Sequence, residues 1–65
     1  MHRADPAPEL AVPLTTDEIN DIIKAALTAL ADPRILTVWN GPRSNEVGFT
    51  TTAGEHVVMQ HRRRV

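Results

Sequence analysis

The richest polar run in this 65-residue chain is Thr50-Thr51-Thr52, with His56 four residues further on. A hydroxyl beside an imidazole is the beginning of a nucleophilic site, but such a site needs a third group to orient the base. Nothing nearby supplies one. There is no cysteine, and Ser44, the one serine, sits in a run of turn formers. His56 and His61 are five apart on an extended segment and so point to opposite faces, which argues against a shared metal. The three glycines are isolated, so no phosphate-cradling loop exists. The expectation is a protein that is not an enzyme and uses neither metal nor cofactor.

A second chemistry is polyanion recognition. Arg62, Arg63 and Arg64, joined by Arg34 and Arg43, are candidate phosphate contacts, which would be salt-sensitive. Trp39 is a candidate base-stacking platform. Against this stand a net charge of −1 and a sequence with a single tryptophan and a single phenylalanine. One helix cannot form a helix-turn-helix. Nucleic-acid binding through the arginine tail and Trp39 is therefore the alternative reading.

The elements that hold these residues can be read from spacing. Leu14-Thr15-Thr16-Asp17-Glu18-Ile19 is a helix start, with Thr15 as cap, Glu18 closing a capping box, and Leu14 and Ile19 as a hydrophobic staple. From Thr16 to about Ala31, Ile19, Ile22, Ile23, Ala26, Leu27 and Leu30 form one apolar stripe about 140° wide. Asp17, Asn20, Asp21, Lys24 and Thr28 fall opposite. Ala25 and Ala29 lie on the shoulder, where they either admit a second helix or serve simply as helix formers. Asp32-Pro33 ends the helix.

Beyond Arg34 the period becomes two. Three strands follow, around Ile35–Trp39, Val47–Thr51 and Val57–Met59. Gly54 in third position suits a three-residue hairpin, which pairs Phe49 with Val57, Val47 with Met59 and Thr50 with His56. A symmetric six-residue first loop pairs Val38 with Val47 and Leu36 with Phe49. That register puts Leu36, Val38, Val47, Phe49, Val57 and Met59 on the helix side. The expected fold is α+β, a single α-helix packed on a three-stranded antiparallel β-meander (α-β-β-β), with an extended N-terminal arm. Residues 1–13 form that proline-rich arm, 14–61 the domain and 62–65 a basic tail.

On the far face of the sheet, Ile35, Thr37, Trp39, His56 and Val58 are left with nothing to cover them, unless Trp39 packs over Gly48 and the arm folds back. Large apolar groups together in water mark an interaction surface. The first strand is also an open edge, and pairing two such edges across a two-fold would give a six-stranded sheet. A cysteine-free core this small leads to the same expectation of a partner subunit. Charge is uneven, −4 over residues 1–32 and +3 over 33–65, which suits head-to-tail pairing. The reading is a small homodimeric protein-interaction or regulatory module, binding a protein partner through the outer face or the edge. No run is apolar enough to span a membrane, and the N-terminus lacks the features of a secretory signal. A cytoplasmic accessory factor of a bacterial or phage system is the expected setting.

Overall fold

The structure, a computed structural model, describes residues 12–64. Most of the expected arm therefore lies outside the described residues. The rest follows the order helix, strand, strand, strand: α1 (Thr16–Leu30), β1 (Ile35–Asn40), β2 (Glu46–Thr51) and β3 (His56–Gln60). The strands form one antiparallel sheet in the order β1-β2-β3.

The helix begins at the capping box. The Thr15 hydroxyl accepts from the Glu18 amide at 3.1 Å, and the Thr15 amide donates to Glu18 Oε1 at 2.8 Å. These bonds hold the Glu18 carboxyl below its usual titration range, with Arg63 adding to the effect. At the other end Ala31 adopts the left-handed conformation, φ 54° and ψ 37°, and its amide closes the last turn on the Thr28 carbonyl. Left-handed backbone is costly for any residue with a Cβ. Ala31→Gly should therefore stabilise the fold by about 0.5–1 kcal/mol. An unchanged or lowered urea midpoint would contradict this.

Asp32 then turns the chain. Its Oδ1 accepts from both the amide and Nε of Arg34 at 2.9 Å, and its Oδ2 from Nη2 at 2.6 Å. The Arg34 guanidinium, followed by its amide, lowers the Asp32 pKa from 3.8 to about 2. A carboxyl depressed by folding stabilises the native state above its unfolded pKa and loses that contribution as pH falls through the native one. The turn is thus expected to persist at pH 3 and release near pH 2. A carboxyl-carbon NMR titration of Asp32 that did not move upward in Arg34→Ala would refute this pairing.

The β2–β3 register is the expected one, with Thr51 donating to the Glu55 carbonyl at 2.9 Å across a loop whose third residue, Gly54, has φ +81°. The β1–β2 register differs by two residues. Val38 pairs with Phe49 and Asn40 with Val47, because Gly41 donates to the Glu46 carbonyl at 2.9 Å and shortens the loop. An even shift preserves the faces. A bulge does not. Ile35 pairs with Thr51 and Thr37 with Thr50, leaving Leu36 as the extra residue. Ile35 therefore sits on the helix side, half-buried, and Leu36 is 61% exposed. Ile35 thus leaves the outer face that strict alternation assigned it, and Leu36 leaves the core.

The helix also faces differently from its apolar stripe. Asn20, assigned to the solvent side, is 4% exposed, whereas Ile22 is 54% and Leu30 66% exposed, and Ala26 is exposed too. The buried arc is centred between Asn20 and Ile23, so the helix is turned by roughly 60° from the orientation its apolar residues favour. The cause is polar. Asn20 Nδ2 donates to the Ser44 carbonyl at 2.7 Å, which leaves its Oδ1 to accept from His61 Nε2 at 2.5 Å. Val47, in the central strand, is the one fully buried apolar side chain among the described residues.

Candidate interaction surfaces

Three surfaces follow from these placements. On the outer face, Thr37, Trp39, His56 and Val58 stand where alternation put them. The indole of Trp39 covers Gly48, so that a Cβ built on Gly48 would overlap its far edge. Trp39 Nε1 donates to Thr50 Oγ1 at 3.1 Å. Thr50 Oγ1 is in turn 3.2 Å from Nδ1 of His56, its cross-strand partner. The indole and imidazole centroids are 6.4 Å apart at a 57° tilt. The polar atoms of this cluster thus bond to one another. Val58, 49% exposed, is the large apolar side chain left open there.

The second surface is a wedge on the helix side. α1 approaches β1 and β2 but not β3. A helix about 10 Å across covers two strands spaced about 4.8 Å apart, not three. Beside it, Ile22, Ala26 and Leu30 form an exposed wall, and Val57 and Met59 a half-buried floor. A separate cavity of about 280 Å³, floored by Ile35 and Phe49, lies between Asp32 and Arg34, which precede β1, and the β2–β3 turn.

The third surface is the free edge of β1. Gly41 and Glu46 form a hydrogen-bonded pair, so alternation turns the backbone groups of Thr37 and Trp39 toward β2 and those of Val38 and Asn40 outward. Between this edge and the helix runs a groove of about 130 Å³, lined by Leu27, Thr28 and Ala31 on one side and Ile35–Val38 on the other.

The arginines do not converge. Arg34 is tied to Asp32, and the Arg63 guanidinium donates to the Leu14 carbonyl. Arg43, Arg62 and Arg64 are exposed. No cluster of three or more metal-ligating side chains exists among the described residues, and no described helix is long and apolar enough to cross a membrane.

The comparisons add no relative. No protein-family model matches this chain, and neither does any curated protein or solved structure.

Sequence reasoning missed Asn20 and His61 as a pair. Their separation of 41 residues leaves no local signal.

Proposed function

We propose that the protein is a non-enzymatic protein-interaction module that acts as a homodimer, with the open wedge between α1 and β3 as the dimer surface. The observation that carries this is the exposed wall Ile22, Ala26 and Leu30 beside an uncovered strip of sheet, in a chain with one fully buried apolar side chain among its described residues. Exposed apolar groups in contiguous array are the mark of an interface. The wall is also self-complementary. Large, small and large residues at four-residue spacing read the same in both directions about Ala26. Two antiparallel copies would place Ile22 against the partner's Leu30 and alanine against alanine, as a two-fold axis requires. Each helix would then lie over the strip that the other leaves bare. A cytoplasmic location belongs to the same proposal.

Sedimentation equilibrium at micromolar concentration tests this. A species of twice the 7.2 kDa chain mass is expected. The double variant Ile22→Lys, Leu30→Lys should sediment as a monomer with its circular dichroism intact. A monomeric parent protein, or a dimer indifferent to both substitutions, would sink the proposal.

A further inference from the structure

We propose that the cavity of about 280 Å³ beyond the end of α1 is completed by a second copy of the chain. That copy would set its Val12 and Leu14 side chains into the cavity and lay its Arg62 and Arg64 against Glu55. The inference rests on the antiparallel wedge dimer proposed above and says what that dimer does at its two ends.

The cavity is held in shape by the backbone. The Thr52 amide donates to the Arg34 carbonyl at 2.9 Å, which ties the β2–β3 turn to the start of β1. Ile35 and Phe49 make the floor apolar. A space of ~150 Å³ holds a benzene ring, so this larger one takes about two branched aliphatic side chains. One charge on the rim is unbalanced. Asp32 and Arg34 neutralise each other. The Glu55 carboxylate accepts from the Thr51 hydroxyl at 3.2 Å and forms no ion pair among the described residues.

A matching set of groups stands at the opposite end of the molecule. Val12 is 64% and Leu14 45% exposed, just ahead of the helix. The Arg63 guanidinium donates to the Leu14 carbonyl, so the basic tail is carried with this apolar pair. Side chains alternate along an extended tail. His61 and Arg63 turn inward to Asn20 and Leu14, which leaves Arg62 and Arg64 exposed.

Within one chain the two sets cannot meet, because the helix keeps them about 22 Å apart. The two-fold about Ala26 brings them together. Along the helix axis, Thr15 of the second copy lies about 16 Å past Ala26. Asn20 sits against Ser44, so counting along β2 from there places Thr51 about 14 Å past Ala26 in the same direction. Leu14 and Val12 of the second copy therefore arrive at the mouth of the cavity, and its tail arrives beside Glu55. Apolar side chains meet an apolar floor, and arginines meet an unpaired carboxylate.

The chain has no cysteine, so single cysteines report this contact directly. Leu14→Cys and Ala53→Cys, mixed in equal amounts and treated with a short bifunctional maleimide, should give a species of twice the 7.2 kDa chain mass. Either variant alone should not, since the two copies of each position lie on the order of 30 Å apart. Charge exchange is the second arm. Glu55→Arg, and the double variant Arg62→Glu, Arg64→Glu, should each weaken the homodimer about tenfold, because like charges then face each other at both ends. A one-to-one mixture should regain the parental affinity as a heterodimer, in which both ends are complementary again.

A dimeric parent whose mixed cysteine variants do not cross-link would overturn this inference and leave the wedge standing. Charge variants that fail to prefer each other would do the same. A monomeric parent, or cross-linking of Leu14→Cys with itself, would overturn both, the second because it requires parallel helices.

Discussion

Replacing Asn20 by alanine should cost about 3 kcal/mol, a large share of what a domain of this size has to spare. The side chain is 4% exposed and holds three parts of the chain together. Its amide donates to the Ser44 carbonyl in the β1–β2 loop, and its oxygen accepts from His61 beyond β3. Asn45 Nδ2 donates to the His61 carbonyl at 3.1 Å, and the His61 amide donates to the Asn45 carbonyl at 3.0 Å. Truncation strands a carbonyl and an imidazole N–H in a part-buried site and leaves a void.

The informative variant is Asn20→Leu, which keeps the branched outline of the side chain and makes the buried arc of the helix apolar. If the hydrogen bonds set the orientation of the helix, this change still costs about 2 kcal/mol, because its partners remain unpaired. If apolar packing sets it, leucine stabilises. Chemical denaturation at fixed protein concentration separates the two, and a cycle with His61→Ala should show about 1–2 kcal/mol of coupling. A stabilised leucine variant would mean that the Asn20 bonds do not hold the helix in place.

Gly48→Ala should be nearly as damaging. Its Cβ would overlap the far edge of the Trp39 indole and lie 2.6 Å from the Val57 carbonyl oxygen. Overpacking of this kind costs about 1–3 kcal/mol. The displaced ring would lose its bond to Thr50 and move into water, so tryptophan emission should shift to the red along with the loss of stability. In a Trp39→Leu background the penalty should shrink without vanishing, since the Val57 carbonyl remains. An alanine variant with unchanged emission and unchanged melting would show that the indole does not rest on Gly48.

Much of this fold was legible in the sequence because its cues are local. The capping box spans four residues, and both of its bonds form at Thr15 and Glu18. Gly54 alone selects a hairpin, and with it the pairing of Phe49 with Val57 and Thr50 with His56. Two features were not legible. Alternation cannot anticipate an extra residue, so the bulge at Leu36 brought Ile35 to the helix side and left Leu36 exposed. Periodicity counts asparagine as a surface residue, so it aimed Ile22 and Leu30 at the sheet. A pair of hydrogen bonds to distant residues turned the helix instead. The candidate surfaces moved with these two errors. What looked like an open outer face is partly closed by Trp39, and the open apolar surface lies on the helix side.

The solitary burial of Val47 has a calorimetric consequence. The increase in heat capacity on unfolding tracks apolar surface newly exposed to water, at about 12–15 cal/mol/K per residue for a well-filled domain. A chain whose isoleucines and leucines are already half-wetted has less to expose. As a lone protomer it would therefore have a shallow stability curve, low at its summit and only weakly dependent on temperature. Association through the wedge would steepen that curve.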